Sequence, residues 1–222
     1  MDGRTPKIVV LISGSGSNLQ AIIEAVQSES FEAEISAVIS NKLGVLGLER
    51  ATKANIPTTV IESKQYPERE VFDAHLMKEI EKHQPDLLVL AGFMRILTPD
   101  FVKRYEGRII NIHPSLLPKY PGLHTHQRAI DAGDSYHGVT VHFVTSELDS
   151  GPNIIQAKVK TFENDTIESL AKRVQEQEHI IYPIAVKWFV EGRLQMLENR
   201  ALLDNEPLPE TGLVLEAAKV LH

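Results

Sequence analysis

Two side chains that could stabilise negative charge stand at positions 111 and 113. Asn111 and His113 are two residues apart, so on a strand they project from one face, while Ile110 and Ile112 take the other. Pro114 follows at once and, because it has no N–H donor, ends the strand there. An amide donor beside an imidazole is suited to binding a developing oxyanion. The pair is equally typical of a buried histidine that only closes a strand.

An acid that could partner this histidine follows a later apolar run. Asp149 lies in a polar loop that ends in Gly151-Pro152, and no helix begins there that it could cap. An aspartate close to His113 would stabilise the imidazolium form. Taken by itself, Asp149 is also an ordinary turn residue.

A glycine-rich turn offers a third kind of chemistry. Ser13–Asn18 (SGSGSN) separates an apolar run from a helical pattern, and free N–H groups at a helix N-terminus attract anions. A dinucleotide turn is disfavoured because its third glycine would fall at Leu19 and no acid follows the second strand at Ser40–Lys42. The GK[ST] signature of a P-loop is absent too. The turn therefore favours a single phosphate, the alternative being a plain turn with Ser17 as helix cap.

Histidines are concentrated in one part of the chain. Five of the nine lie between positions 113 and 142, namely His113, His124, His126, His137 and His142. His124 and His126 could ligate a metal, but their spacing matches no HExxH pattern, and we expect no metal. His142 faces away from Val141 and Phe143 on its strand, and we expect it to line a pocket.

The elements that must position these groups alternate between short apolar runs and helical patterns. The predicted strands are residues 7–13, 34–40, 58–62, 86–93, 108–113, 138–144 and 153–159. The predicted helices are residues 17–28, 44–55, 67–83, 98–105 and 165–191. Strands that alternate with helices indicate βαβ units and a mostly parallel sheet covered on both faces.

The same pattern also predicts the local structure of four parts of the chain. Pro183 should kink or break the last helix, and residues 114–134 should form a long functional loop. Beyond Asp204 the chain should be peripheral, with a short helix at Leu213–Leu221. The buried face of helix 67–83 is predicted to consist of Val71, Phe72, His75, Leu76 and Ile80.

Composition excludes several classes of protein. The 222 residues include 23 basic and 30 acidic side chains, for a net charge of −7, which argues against a nucleic-acid binder. Because there is no cysteine, disulfides, cysteine zinc sites and thiol nucleophiles are excluded. No apolar run approaches the roughly 18 residues of a membrane span, and the N-terminus has no signal-peptide layout. We therefore expect a cytoplasmic protein with no membrane or nucleic-acid partner.

Four segments of the chain resemble the phosphoribosylglycinamide formyltransferase family, and the resemblance runs from Lys7 to about Asp204. The matching segments are Ile12–Gln20, Leu90–Leu97, Asn111–Pro118 and Gly138–Pro152, and Lys119–His126 is specific to the bacterial single-domain type. The resemblance implies a Rossmann-like three-layer α/β fold with a seven-stranded, mainly parallel sheet.

The resemblance also implies an activity. It is the transfer of a formyl group from 10-formyltetrahydrofolate, a co-substrate, to the glycine amine of glycinamide ribonucleotide. The products would be formylglycinamide ribonucleotide and tetrahydrofolate, in de novo purine (IMP) synthesis. Small-molecule substrates, no metal, and a monomer or homodimer are expected.

Residue roles carry over from the matching positions. The catalytic residues would be Asn111, His113 and Asp149. The ribonucleotide would be bound by Gly16, Ser17, Asn18, Gln175 and Glu178. The folate would be bound by Arg69, Met94, Arg95, Ile96, Leu97, Asn111, Thr145, Ser146 and Glu147. The chain departs from the bacterial pattern at Ser15, where that pattern has asparagine.

The expected organisation is one catalytic domain followed by a tail. Residues 1–204 would form the formyltransferase domain, with a phosphate-binding half at about 1–100 and a folate and catalytic half at about 101–204. Residues 205–222 would form a peripheral C-terminal tail.

Related activities give the alternatives. A formyltetrahydrofolate deformylase would use the same three residues, but that family carries a regulatory domain before the first strand, where only about six residues stand here. A methionyl-tRNA formyltransferase adds a basic C-terminal domain, and the tail here is not basic. A non-catalytic folate or nucleotide binding module would not need the three residues together.

Overall fold

The structure is a computed structural model, and it describes residues 3–216. The strands are β1 (Lys7–Ile12), β2 (Glu34–Ser40), β3 (Thr58–Val60), β4 (Leu87–Leu90), β5 (Ile109–His113), β6 (Tyr136–Phe143), β7 (Asn153–Lys160), β8 (Leu194–Leu197), β9 (Arg200–Leu203), β10 (Glu206–Pro207) and β11 (Leu213–Glu216). The helices are α1 (Ser17–Gln27), α2 (Leu46–Lys53), α3 (Arg69–Glu81), α4 (Pro99–Arg104), α5 (Thr125–Asp131) and α6 (Ile167–Val190), and Ser63–Gln65 forms a 3₁₀ turn.

One large sheet organises the fold. Within residues 3–216 it has eight strands in the order β11-β7-β6-β5-β4-β1-β2-β3. β6 pairs antiparallel with both β5 and β7, and the remaining pairs are parallel. A smaller antiparallel sheet joins β8, β9 and β10. The prediction of a mainly parallel α/β sheet is confirmed.

Helices cover both faces of the large sheet. Alternate residues of β1 pack into two separate clusters: Val10 joins one with Leu19 of α1 and Val174 of α6, and Leu11 joins the other with Phe72 of α3. A strand buried on both sides reads as a continuous apolar run, which is why β1 was recognisable. Three layers result, as predicted.

Several expectations about local structure were wrong. The sheet has eight described strands rather than seven, because Leu213–Glu216 adds a parallel edge strand to β7. These residues are therefore strand and not helix, since their backbone finds partners on β7, and residues 217–221 of the expected helix lie outside the described part. Pro183 does not break α6, which continues to Val190 with Tyr182, Ala185 and Val186 buried.

The inward face of α3 was partly misjudged. Phe72, Leu76 and Ile80 are buried as predicted, whereas Val71 and His75 are exposed. Asp73 lies in the buried face instead, where its Oδ2 accepts a hydrogen bond from Thr98 N at 2.7 Å. Among residues 3–216, no helix is long and apolar enough to span a membrane.

Candidate active site

The glycine-rich turn joins β1 to α1 and leaves a helix N-terminus open. Gly16 occupies the N-cap position in a left-handed conformation (φ 70°), and none of the described side chains caps the helix. A Cβ on Gly16 would come within 2.6 Å of the Gly47 Cα, so both the backbone angle and the packing on α2 require glycine. The first N–H groups of α1 remain available, and they suit an anion. Ser17 begins the helix and is not its cap.

Two residues of α6 meet this turn. Glu178 Oε2 accepts a hydrogen bond from Asn18 Nδ2 at 3.0 Å, and Gln175 Nε2 donates to Ser17 Oγ at 3.2 Å. Burial raises the pKa of Glu178, and the bond from Asn18 opposes the rise. The structure therefore brings together the four side chains that the resemblance had assigned to one substrate. Asn18 Oδ1 is buried and accepts no hydrogen bond from the described residues.

Asn111 and His113 project from one face of β5. His113 is buried, and its Nε2 lies 2.8 Å from the carbonyl oxygen of Tyr120. Because a carbonyl oxygen can only accept, Nε2 carries the proton in this contact. Nδ1 is thereby the nitrogen that faces Asp149, whose Oδ2 lies 3.6 Å away.

Asp149 reaches His113 by a route that the sequence does not show. β6 is antiparallel to β5, so Phe143 pairs with Ile110 near the start of β5. The loop after β6 must fold back over the strand face to place the carboxylate there. Asp149 adopts a left-handed backbone (φ 52°), and its Oδ2 accepts from Gly122 N at 2.8 Å. A buried, backbone-bonded carboxylate beside an imidazole can orient that ring and move a proton.

His142 is a second imidazole beside this carboxylate. It pairs with Asn111 across β5 and β6, and its Nε2 lies 4.0 Å from Asp149 Oδ1. Its Nδ1 donates to its neighbour's carbonyl, Phe143 O, at 2.8 Å. Burial lowers the pKa of His142, and the hydrogen bond to Phe143 O and the charge of Asp149 oppose the shift. The expectation that His142 faces away from Val141 and Phe143 is consistent with this placement.

His126 and His137 form a separate pair, in which His137 is buried and His126 is half-buried. His126 Nδ1 lies 3.0 Å from His137 Nε2. Burial lowers the pKa of His137 to about 4, with a further contribution from the neighbouring His126. Within residues 3–216, no group of three His, Asp or Glu side chains is arranged to hold a metal ion.

The segment between β4 and α4 carries the predicted folate contacts. Met94 and Ile96 are 65% and 58% exposed, which is unusual for apolar side chains, and the Arg95 guanidinium stacks over the Phe72 ring at 4.2 Å. Arg69 donates to the carbonyl oxygens of Ile96 and Leu97 at 3.2 and 3.1 Å. Apolar surface beside two cations is suited to a flat, anionic ligand.

The remaining predicted residues lie in the loop that carries Asp149. Thr145 is half-buried, and Ser146 and Glu147 are exposed. Glu147 accepts through its main-chain and carboxylate oxygens from Ser150 Oγ, both at 3.2 Å. Leu148 is exposed next to Asp149, so this loop also presents an apolar surface.

Comparison with known proteins decides the family. Residues 6–186 match the formyl transferase family. The phosphoribosylglycinamide formyltransferase of Escherichia coli K12 is 55% identical over 205 residues, which cover 92% of this chain and 97% of that protein. The chain belongs to the phosphoribosylglycinamide formyltransferase family. The enzyme of this name from Haemophilus influenzae is 51% identical over 210 residues, covering 95% of this chain and 99% of its own.

A solved formyltransferase structure agrees with the fold. The phosphoribosylglycinamide formyltransferase of Coxiella burnetii superposes with a TM-score of 0.92 at 51% identity, covering 96% of this chain and all of that one. The family resemblance stated from the sequence is therefore confirmed.

The sequence did not predict two main-chain groups of this formyltransferase that contact His113 and Asp149. The Tyr120 carbonyl and the Gly122 N–H, which contact His113 and Asp149, come from the loop after β5. Tyr120 is itself in a left-handed conformation (φ 54°), and its hydroxyl donates to Asp134 Oδ2 at 2.7 Å. The loop predicted at 114–134 includes both groups, but the prediction was partly wrong because Thr125–Asp131 forms helix α5. Main-chain contacts leave no residue-type signal in the sequence.

Proposed function

We propose that the protein transfers the formyl group of 10-formyltetrahydrofolate to the glycine amine of glycinamide ribonucleotide. The observation that carries the proposal is the contact of His113 with Asp149, with Asn111 on the same face of β5 as His113. The family membership supports the reaction type. Both substrates are small molecules, the chemistry proposed needs no metal, and we place the reaction in the cytoplasm.

The ribonucleotide phosphate would bind at the open N-terminus of α1. The N–H groups after Gly16 provide donors, and the helix dipole favours the negative charge. Glu178 and Gln175 lie on the same helix face and contact the turn residues, so they would hold the ribose or glycine part of the substrate. Asn18 Oδ1, buried and without a partner in the described part of the chain, can accept from the same ligand.

The formyl carbon would be attacked by the neutral glycine amine. The new C–N bond converts the formyl oxygen into an oxyanion, which the amide of Asn111 and the Nδ1–H of His113 would stabilise. The bond from that carbon to N10 of the folate then breaks. The proton lost by the amine goes to N10, relayed by Asp149 through water. Atoms and charges balance without a covalent enzyme intermediate.

The Tyr120 carbonyl determines the orientation of the His113 ring. Because Nε2–H of His113 is donated to that oxygen, only Nδ1 can turn toward substrate. Asp149 Oδ2 lies 3.6 Å from Nδ1, close enough for charge attraction and too far for a strong hydrogen bond. In the imidazolium form both ring nitrogens carry a proton, and the Nδ1 proton would then point to a substrate oxygen that enters beside the carboxylate.

The folate would lie on the segment that follows β4. Met94 and Ile96 offer exposed apolar surface, and Arg69 retains donors that its main-chain contacts do not use. The loop Thr145–Glu147, with the exposed Leu148, would cover the pterin from the other side. Binding both substrates at neighbouring strand ends supplies proximity.

An absorbance assay of formyl-folate consumption, with and without glycinamide ribonucleotide, tests the proposal. We expect turnover that requires the ribonucleotide and that falls at least about 10²-fold in His113→Ala. A His75→Ala variant is the matched control, because His75 is an exposed histidine on α3. Equal turnover without the ribonucleotide would instead show a deformylase. It would also contradict the proposal that the glycine-rich turn binds the ribonucleotide phosphate.

A further inference from the structure

The segment between β4 and α4 has neither helical nor strand structure, although it carries the proposed folate contacts. Met94 and Ile96 project outward, so apolar burial of these side chains does not hold the segment in place. A ligand platform without regular structure needs other contacts to fix its main chain, because disorder would reduce affinity. The structure provides such contacts at both ends of the segment.

Ser13 fixes the amino-terminal end. Its Oγ accepts a hydrogen bond from Met94 N at 2.8 Å and donates to Asn41 Oδ1 at 2.6 Å. Ser13 is 5% exposed and is the first residue of the glycine-rich turn. Asn41 is itself fixed, because its main-chain N–H donates a hydrogen bond to Ile12 O. Its side chain therefore orients the Ser13 hydroxyl. One buried hydroxyl therefore ties the two proposed substrate segments together.

Asp73 fixes the carboxyl-terminal end. Its Oδ2 accepts from Thr98 N at 2.7 Å. Arg69, one turn earlier on α3, donates to the carbonyls of Ile96 and Leu97. Residues four apart share a helix face, so one face of α3 holds two successive peptide groups through three hydrogen bonds.

The burial of Asp73 calls for an explanation. The side chain is 1% exposed, and its Oδ1 accepts no hydrogen bond from the described residues. Burying a carboxylate with one oxygen unpaired is costly, and an apolar residue would fill the site at lower cost. The contact that the carboxylate does make is the one to Thr98 N, at the end of the segment.

We propose that Ser13 and Asp73 are positioning residues that fix the two ends of the Met94–Leu97 segment and thereby set the affinity for the folate substrate. The inference rests on the proposed function, because it takes this segment to be the folate platform. It predicts an effect on one substrate and little on the other, which a general role in stability would not produce.

Steady-state kinetics with each substrate varied in turn provides the test. In Asp73→Ala we expect the KM for 10-formyltetrahydrofolate to rise at least about tenfold, and the KM for glycinamide ribonucleotide to change less than about twofold. Asp73→Asn keeps a carbonyl acceptor and should recover most of the lost affinity. Ser13→Ala should raise the folate KM by a smaller factor.

Ser36→Ala is the matched control for the loss of a buried hydroxyl. Ser36 Oγ donates to Ile8 O at 3.2 Å on β1, outside the proposed site. This variant should leave both KM values at wild-type levels. A folate KM that rises equally in Ser36→Ala and Ser13→Ala would overturn the proposal, because the effect would then be one of general packing.

Direct binding separates this proposal from the proposed function. Calorimetric titration with tetrahydrofolate should show weaker binding to folded Asp73→Ala than to wild type. An unchanged folate affinity, or an equal loss for both substrates, would overturn the positioning role. If Asp73→Ala does not fold, Ser13→Ala decides by the same criterion. Absence of formyl transfer by the wild type, with folate binding retained, would refute the activity and leave the positioning role intact.

Discussion

The glycine-rich turn at residues 13–18 and the His113–Asp149 cluster are held by different kinds of contact. The turn is continuous in sequence, and its key features are the left-handed Gly16 and the open helix that follows it. The cluster joins residues from β5 and from the loop after β6, and main-chain groups of Tyr120 and Gly122 fix it. Local geometry thus builds the proposed anion site, whereas distant segments must meet to build the proposed catalytic one.

The two regions also differ in which residue types carry left-handed backbone angles. Tyr120, His124 and Asp149 all adopt positive φ angles near the cluster, which non-glycine residues rarely do. In the turn the same kind of angle falls on Gly16, where it costs little. The proposed catalytic region therefore depends on tertiary contacts that compensate its strain, and its activity should respond more strongly to perturbation.

The largest expected effect is on catalysis in the cluster. Asp149→Asn should lower kcat by about 10²–10⁴-fold, because the proton relay and the charge beside His113 are lost. Asparagine tolerates the left-handed backbone, so the unfolding free energy should hardly change. Asp131→Asn, which alters an exposed aspartate on α5, is the control. Near-normal turnover of Asp149→Asn with intact substrate binding would remove Asp149 from the mechanism.

Acid should destabilise the region around the cluster. The pKa of His137 is lowered from 6.5 to about 4 by burial, so between these pH values the unfolded chain binds a proton that the folded chain does not. Stability must then fall as pH falls through this window, by up to about 3 kcal/mol for this group. Urea unfolding at pH 7.5, 6 and 5 measures the slope.

Two variants sharpen this result. His137→Gln should reduce the pH dependence of the unfolding free energy between pH 6.5 and 4, because one of the histidines whose pKa burial lowers is gone. His75→Gln replaces an exposed histidine of α3 and should leave the slope as in wild type. An identical slope in His137→Gln would mean that other groups produce the acid loss.

A smaller effect is expected in the turn. Gly16→Ala should cost about 1–2 kcal/mol from the left-handed backbone, with more from the contact to Gly47 Cα. The KM for glycinamide ribonucleotide should rise as the helix N-terminus shifts. Gly14→Ala is the control for stability, since a Cβ there would meet no atom within 4 Å. Equal destabilisation by both variants would show that neither the left-handed angle of Gly16 nor its contact with Gly47 specifically requires glycine.

The smallest effect is expected at the contact between α6 and the turn. Gln175 is exposed, and its bond to Ser17 is 3.2 Å long. Gln175→Ala should raise the ribonucleotide KM by about two- to fivefold, the range of a single exposed hydrogen bond. The same substitution at the exposed Gln65, in the 3₁₀ turn, should have no kinetic effect. A large loss of kcat in Gln175→Ala would contradict this expectation, because it would show that the turn affects catalysis at the His113–Asp149 cluster.

Much of the fold and of the site could be predicted from sequence. Strands such as β1 and β4 are apolar runs flanked by helical patterns, and burial on both faces explains that signal. The edge strand β11 was missed, because Leu213–Glu216 has no strong pattern of its own and depends on pairing with β7. Asp73 was missed because a carboxylate on a helix usually faces solvent.

The sequence by itself determined those features of the protein that depend only on residues close together in the chain. The turn at Gly16, the shared face of Asn111 and His113, and the alternation of strands with helices all follow from local spacing. Only the tertiary structure decided that Asp149 returns to His113, because the antiparallel β6 sends the chain away before the loop folds back. It also decided which nitrogen of His113 is free, since that depends on a main-chain carbonyl whose position is set by the folded loop.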